Sequence, residues 1–250
     1  MKLAALVLAG SRPGSAEPVA AAEGVAHKAL VEVGGKPLLT RVVEALRAAG
    51  IERIAVAAND PDVVALAEAL DTQPIPPQAG PSASVGAAFA QLGAPLLVTT
   101  ADHALLRPEW VRDFVSDVPR GSDAAVLLAS RTAVERALPG SRRTWLRLAD
   151  GDWSGCNLFL MATPNAIAAI DAWRAVEADR KRPWKIAARF GLRPLWLYLT
   201  GRLTADGAIS VLGRRVGIEA HAVAARDGLA AVDVDKTSDL ADVRRISASG

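Results

Sequence analysis

The chain has 250 residues, of which 51% are hydrophobic, and its formal net charge at pH 7 is only +2. A chain of this length can bury a full core, and so small a charge argues against general binding to nucleic acids. The single cysteine, Cys156, excludes an intramolecular disulfide and a cysteine-based zinc site. Nothing therefore requires an oxidising compartment, and we expect a soluble, cytoplasmic protein.

Residues 3–9 form an uninterrupted apolar run, which is typical of a buried strand in a parallel sheet. Preceded by Lys2 and followed by three alanines at residues 20–22, the same run also imitates a short secretory signal. We favour the strand. Elsewhere no stretch reaches the roughly 18 apolar residues that a membrane-spanning helix needs.

Strand and helix patterns alternate along the rest of the chain. Apolar residues at helical spacing predict helices over residues 38–49, 62–70, 84–92 and 109–118. Short apolar runs predict strands over residues 53–58, 95–100, 124–129, 145–148 and 157–162. Proline-rich residues 74–81 are predicted as a loop, and the chain after Pro164 is mostly helical. This alternation predicts an α/β protein with one domain over residues 1–250.

The loop after the first predicted strand carries groups that suit a bound phosphate. Gly10 and Gly14 let the backbone approach an anion closely, and Arg12 and Lys28 supply positive charge. Lys36, which follows two glycines, is an alternative to Lys28 for this role. We favour Lys28 because of its position in the loop.

Asp102 follows the apolar strand predicted over residues 95–100. In open α/β sheets, ligands bind at the carboxyl ends of the strands. Mg²⁺ is commonly held by one or two carboxylates together with substrate phosphates, so Asp102 is a candidate metal ligand. The alternative is that Asp102 caps a helix that begins near Pro108.

A second acidic segment lies near the end of the chain. Residues 231–235 read as a short strand, which would place Asp233 and Asp235 on the same side. Two carboxylates that face one way repel each other unless a cation lies near them. The segment also suits the start of a helix, with Thr237 or Ser238 as the cap and Asp239 favoured by the helix dipole. Both interpretations can hold together.

Four of these sequences, in this order, resemble one known family. They are residues 9–12 (AGSR), 27–28 (HK), 102–104 (DHA) and 233–240 (DVDKTSDL). Together they are similar to nucleotidyltransferases of the molybdenum-cofactor type, the MobA-like NTP transferases of the glycosyltransferase-A-like superfamily. His27 stands where that family usually has proline, and it either contacts a phosphate or, as we favour, is a solvated loop residue.

The resemblance implies a three-layer, Rossmann-like fold. Its sheet would be mixed and mainly parallel, with helices on both faces. A helical, basic insertion near residues 165–205 is a departure from the family. It also implies a Mg²⁺-dependent transfer of a nucleoside monophosphate from a nucleoside triphosphate to a phosphorylated acceptor, with release of pyrophosphate. Molybdopterin, a sugar phosphate or another phosphorylated alcohol fits as the acceptor.

The resemblance also implies roles for individual residues. Arg12 and Lys28 would be catalytic, and Asp102 and Asp235 would bind Mg²⁺. The expected nucleotide contacts are Leu8, Ala9, Gly10, Ser11, Asn59, Gly80, Ser82 and Ser84. Apart from the resemblance, serines at the start of a helix are more often caps. The expected acceptor contacts are Asn157 and Lys185.

Residues 174–202 are strongly basic and also carry aromatic and leucine side chains. Such a segment suits an anionic acceptor, or an anionic membrane surface that presents a lipid-like acceptor. The alternative is a helical excursion that packs its aromatic rings inward and leaves its arginines in water.

Sequence motifs argue against two other classes of nucleotide-binding enzyme. The phosphate loop lacks G-x-G-x-x-G and G-x-x-x-x-G-K-S/T, which argues against a dinucleotide-dependent dehydrogenase and a phosphate-loop hydrolase. A glycosyltransferase that uses a nucleotide-sugar, and a non-catalytic nucleotide-binding module, remain alternatives. Neither would release pyrophosphate.

Overall fold

The computed structural model describes residues 2–11, 17–141, 143–178 and 192–248. By their contacts these residues form two compact units. Unit 1 comprises Met1–Asp113 and Val232–Gly250, and unit 2 comprises Phe114–Ala231. No helix in the described part of the chain is both long and apolar enough to cross a membrane. The prediction of a single domain stays a prediction.

The described strands are, in chain order, β1 Ala4–Leu8, β2 Glu32–Val33, β3 Lys36–Pro37, β4 Arg53–Ala57, β5 Gln73–Ile75, β6 Leu96–Thr100, β7 Ala124–Ser130, β8 Leu146–Leu148, β9 Gly151–Met161 and β10 Ala220–Ala224. The described α-helices are α1 Pro18–Glu23, α2 Leu38–Ala48, α3 Pro61–Ala69, α4 Pro81–Leu92, α5 Pro108–Asp117, α6 Arg131–Ala137, α7 Ile167–Ala178, α8 Leu192–Leu199, α9 Ala205–Arg215 and α10 Thr237–Ala248.

Unit 1 contains a parallel sheet in the order β6-β1-β4-β5. Leu8 is in register with Ala57 on one side and with Thr100 on the other, so the three strands end at one edge. β1 is apolar throughout because both of its faces are buried. This shared edge is where the loops that carry the candidate site begin.

The helices of unit 1 follow from simple sequence signals. α2 buries Leu39, Val42, Val43 and Leu46, which recur at helical spacing. α3 and α4 both start with a proline at the first helical position, where no intrahelical N–H bond is lost. Asp60 also caps α3 by accepting hydrogen bonds from the N–H groups of Asp62 and Val63.

In unit 2, β7 pairs in parallel with β10 and antiparallel with β9, and β8 forms an antiparallel hairpin with β9. The register between β7 and β9 shifts between Val126 and Leu128. Asn157 has a φ of 50°, a left-handed conformation, within the part of β9 that faces this shift. It therefore lies at a bulge of the strand.

Most predicted elements are present, and the α/β class with a mixed, mainly parallel arrangement of strands is confirmed. The loop prediction for residues 74–81 was wrong at both ends, because β5 runs to Ile75 and α4 begins at Pro81. The strand predicted over residues 231–235 is absent, since the 3₁₀ turn at Gly228–Ala231 is followed by backbone that forms no strand ladder, although the N–H of Val234 donates to the backbone oxygen of Asp102 at 3.1 Å. α7 and α8 lie within the helical, basic insertion predicted near residues 165–205, of which residues 179–191 lie outside the described residues.

Candidate functional site

A cavity of about 620 Å³ opens at the carboxyl edge of the unit 1 sheet. The ends of β1, β4 and β6 contribute to its wall, as does the first turn of α4. Titratable side chains also line it, and these are Glu17, His27, Lys28, Asp102 and Asp235. The cavity therefore lies where ligands bind in open α/β sheets.

Lys28 lies in a 3₁₀ turn, Lys28–Leu30, at the wall of this cavity. Its Nζ is 2.6 Å from Oδ2 of Asp102 and 3.0 Å from Oδ1 of Asp235. Burial on its own would lower the pKa of Lys28, but the attraction and hydrogen bonds of the two aspartates outweigh burial and raise this pKa. The ammonium group therefore stays charged at neutral pH.

The two aspartates are held in different ways. Asp102 is largely buried, with 13% of its side chain exposed, and Thr100 Oγ1 donates a hydrogen bond to its Oδ1 at 2.5 Å. Its side chain thus faces Lys28 and Thr100, so the alternative that it caps α5 is not supported. Asp235 is 61% exposed, and its own N–H donates to Asp239 Oδ2 at 3.2 Å.

Asp239 also accepts a hydrogen bond from the N–H of Lys236, at 2.9 Å. One carboxylate in the first turn of α10 therefore satisfies two backbone donors that precede and open this helix. The segment therefore starts a helix and also supports Asp235. The cap expected at Thr237 or Ser238 was wrong, because α10 already begins at Thr237 and Asp239 binds the backbone donors.

Asp102 and Asp235 suit a metal ion by the chemistry of their donors. One oxygen of each carboxylate contacts the same cation, the Lys28 ammonium, so both side chains face one positively charged group. Within the described residues, no group of three or more His, Cys, Asp or Glu side chains is placed to hold a metal. The pair fits Mg²⁺, which takes few protein carboxylates and completes its shell with water and substrate oxygens.

Most of the expected nucleotide contacts lie along the cavity. They are Leu8, Ala9, Gly10, Ser11, Gly80 and Ser84. Ser84 Oγ accepts from the N–H of Gln78 at 2.8 Å and donates to Gly80 O at 3.1 Å, so it fixes the loop before α4. Ser82 is only 1% exposed and is not part of the cavity wall.

Asn59 supports the loop from outside the main cavity. Its Oδ1 accepts from the N–H of Ser11 at 3.1 Å, and its Nδ2 donates to Ser11 O at 3.2 Å. Gly10 also has a packing role, because a Cβ there would lie 2.9 Å from the Cβ of Pro77. The backbone after β1 is thus fixed on two sides.

The structure distinguishes the two candidate lysines. Lys36 Nζ contacts both carboxylate oxygens of Glu44, at 2.9 and 2.8 Å, and Lys36 does not line the cavity. Lys28, in contrast, faces Asp102 inside it. Arg12 and Lys185 lie outside the described residues, and Asn157 lies in unit 2.

Sequence reasoning missed Glu17 and misplaced His27. Glu17 accepts hydrogen bonds from Ser11 Oγ and from the N–H of Lys28. His27 is 5% exposed rather than solvated, and its Nδ1 accepts from the N–H of Ala29 at 2.9 Å. The sequence did offer one signal for Glu17, because a negatively charged side chain is unexpected in a loop whose other groups suit a bound anion.

Comparisons with known proteins identify the family of this chain. A family model described as the MobA-like NTP transferase domain matches residues 5–181. A hypothetical transferase from Thermus thermophilus is 33% identical with a TM-score of 0.81, over 96% of this chain and 100% of that one. No curated protein matches the chain in sequence.

More distant structures share the fold. A nucleotidyl transferase from a Methanothermobacter species is 19% identical with a TM-score of 0.60, over 99% of this chain and 98% of that one. The CTP:phosphocholine cytidylyltransferase from Streptococcus pneumoniae is 13% identical with a TM-score of 0.60, over 98% and 99% of the two chains. The family match and the Thermus relative show that the chain belongs to the MobA-like NTP transferases, and it is a nucleotidyltransferase.

Proposed function

We propose that this protein transfers a nucleoside monophosphate from a nucleoside triphosphate to a phosphorylated acceptor, with Mg²⁺ as cofactor and pyrophosphate as the second product. The acceptor class is a sugar phosphate or another phosphorylated alcohol. The observation that carries the proposal is the Lys28 ammonium, which Asp102 and Asp235 hold at the wall of the cavity.

The cavity suits the nucleotide in size and in charge. Its volume of about 620 Å³ falls within the range of small-molecule sites. The raised pKa of Lys28 keeps a permanent cation there. An ammonium has three N–H donors, and among the described residues the two aspartates accept from two of them, so the third can donate to a phosphate oxygen.

The chemistry needs charge stabilisation rather than a general base. An oxygen of the acceptor phosphate, which is already an anion, forms a bond to the α-phosphorus. The bond from the α-phosphorus to the bridging oxygen breaks, and that oxygen leaves with pyrophosphate. Negative charge builds up around the α-phosphate, and Lys28, which lines the cavity, would stabilise it. Arg12 is proposed to bind the β- and γ-phosphates.

Asp102 and Asp235 would hold Mg²⁺, which would supply positive charge to the phosphate oxygens. Asp102 is suited to be the firmer ligand because it is mostly buried and braced by Thr100. Asp235 is more exposed and reaches the same place from the backbone before α10.

The acceptor class is supported by the named substrates of one structural neighbour. The Streptococcus pneumoniae enzyme takes its name from CTP and phosphocholine, a phosphorylated alcohol. By its order along the chain, Lys185 is proposed as a phosphate contact and Asn157 as a hydroxyl contact of the acceptor. Retained acceptor affinity in a Lys185→Ala variant would remove Lys185 from this role.

We also propose that unit 2 contacts an anionic membrane through the basic segment. In the described part of it, Trp196, Tyr198 and Leu199 are exposed, and the guanidinium of Arg202 lies 5.6 Å from the centre of the Trp196 ring. Exposed aromatic side chains beside cations suit a lipid headgroup region. Failure to bind vesicles that contain anionic phospholipid at low salt would contradict this contact.

The product tests the proposed reaction. Mass spectrometry should detect a phosphoanhydride that joins the nucleoside monophosphate to the acceptor. A glycosyltransferase would instead consume a nucleotide-sugar and form a glycoside. A binding module would leave both substrates intact, and either result would contradict the proposal.

A further inference from the structure

Two consecutive backbone N–H groups at the candidate site are each held by a side chain. The N–H of Lys28 donates to Glu17 Oε2 at 2.7 Å, and the N–H of Ala29 donates to His27 Nδ1 at 2.9 Å. We infer that Glu17 is a positioning residue, which fixes the backbone of Lys28 and joins it to Ser11 so that the ammonium reaches the nucleotide.

Glu17 connects three parts of the loop through one carboxylate. Its Oε2 binds the backbone of Lys28, while its Oε1 accepts a hydrogen bond from Ser11 Oγ. The same Oε1 lies 3.5 Å from His27 Nε2. Only 21% of the Glu17 side chain is exposed, and it lines the cavity beside Lys28.

The negative charge of Glu17 indicates that this residue contributes by fixing the loop backbone and not by attracting the nucleotide. A carboxylate in the wall of a cavity that takes a triphosphate repels the ligand, and low solvent exposure strengthens this repulsion. Its two hydrogen bonds, however, fix the chain on both sides of the site. Lys28 is then held at its backbone by Glu17 and at its Nζ by Asp102 and Asp235.

The Glu17→Gln substitution separates the effect of the hydrogen bonds of Glu17 from the effect of its negative charge. The side-chain carbonyl of glutamine can accept from the N–H of Lys28, and its NH₂ group can donate to Ser11 Oγ, because a hydroxyl both donates and accepts. Glu17→Gln therefore keeps these two connections without the negative charge, while its NH₂ group replaces the oxygen that faces His27 Nε2. Glu17→Ala loses both connections and the charge.

The kinetic test rests on the proposed function. We expect Glu17→Ala to lower kcat for pyrophosphate release by about 100-fold, the effect of a misplacement of about 1 Å. Glu17→Gln should keep kcat close to wild type and lower the KM for the triphosphate, because the repulsion is gone. Glu52→Ala is the matched control, since the exposed Glu52 pairs with Lys2 at the surface.

Hydrogen exchange of the Lys28 amide in the full chain tests positioning without any substrate. The exchange rate should rise in Glu17→Ala and stay near wild type in Glu17→Gln and Glu52→Ala. This readout separates a failure of the inference from a failure of the proposed reaction. Unchanged exchange and kcat in Glu17→Ala, or a Glu17→Gln variant as slow as Glu17→Ala, would overturn the inference.

Discussion

The Nζ of Lys28 lies 2.6 Å from Oδ2 of Asp102, although 74 residues separate the two in the chain. This pair joins the loop after β1 to the end of β6, two neighbouring strands of one parallel sheet. Asp235 makes a second, longer contact with the same ammonium. The account of catalysis depends on this three-residue arrangement.

Asp102 should contribute more to activity than Asp235. Asp102 is 13% exposed and Asp235 is 61% exposed, so solvent screens the second contact more strongly. We expect Asp102→Asn to reduce kcat/KM by about 100-fold and Asp235→Asn by about tenfold or less. Steady-state rates of pyrophosphate release measure both, with the exposed Asp62→Asn as control. Equal losses in the two variants would contradict this ranking.

Removal of the ammonium should increase the effect of Mg²⁺ on stability. In Lys28→Met, Asp102 and Asp235 face each other without their shared cation, so the folded state without metal becomes less stable. Added Mg²⁺ then stabilises the variant by binding to the folded state. We expect a larger rise of Tm with Mg²⁺ in Lys28→Met than in wild type.

Thermal unfolding with and without Mg²⁺ measures this difference. Lys36→Met is the matched control, because the ammonium of Lys36 pairs with Glu44 instead. Equal Mg²⁺-induced shifts of Tm in wild type and Lys28→Met would contradict this expectation.

The fold was predictable where one local signal was enough. The buried run of β1 and the apolar stripe of α2 identified these elements and placed the site at one sheet edge. The strand expected over residues 231–235 failed because alternating Val and Asp residues say nothing of whether a partner strand exists. Val232 and Val234 are buried without belonging to a strand, and this burial gives the same alternation of apolar and acidic residues.

The charged residues at the centre of the candidate site could be predicted from the sequence. The residues that hold the loop around them could not. Lys28, Asp102 and Asp235 came from motif order along the chain. The burial of His27 could not be predicted. Nothing in the neighbouring sequence indicates that its ring accepts a hydrogen bond from the N–H of Ala29, two residues later. The contacts of Glu17 depend on how the loop folds back on itself, which no spacing in the sequence specifies.

His27 should make stability depend on pH. Burial lowers the pKa of His27, while Glu17, Asp60 and Asp102 favour its charged form and Lys28 opposes it. Since the pKa is lower in the folded state than the ordinary 6.5, the unfolded chain binds the proton more readily. Stability is therefore complete above the unfolded pKa and is lost as the pH falls toward the folded pKa.

Urea unfolding between about pH 8 and about pH 5 measures this loss in wild type and in His27→Asn. The asparagine side chain keeps an oxygen that can accept from the N–H of Ala29, but it does not titrate. We expect a shallower decline of the free energy of unfolding in the variant. Parallel declines would show that His27 is not the titrating group.

Asp123 should stabilise unit 2. Its carboxylate accepts from Thr163 Oγ1, from the N–H of Glu219 at 3.0 Å and from Asn165 Nδ2 at 3.2 Å. These hydrogen bonds, that of Thr163 first, lower the pKa of Asp123 below 3.8 against the effect of burial. The stabilisation is present above this unfolded value and is lost as the pH falls through the folded pKa.

We expect Asp123→Asn to lower the free energy of unfolding by about 2 kcal/mol at neutral pH, because an N–H donor is left facing an amide donor. Asp117→Asn, which removes a surface pair with Arg226, should cost less than about 1 kcal/mol. Chemical denaturation measures both variants. A loss in Asp123→Asn no larger than that in Asp117→Asn would contradict this role.

Pyrophosphate release tests the central claim most directly. The protein is incubated with Mg²⁺, each of the four ribonucleoside triphosphates, and phosphorylated sugars, phosphorylated alcohols or molybdopterin, with Asp102→Asn in parallel. We predict release that requires one triphosphate and one acceptor together and that is strongly reduced in the variant. No release with any pair, alongside consumption of a nucleotide-sugar or binding of nucleotide alone, would contradict the account.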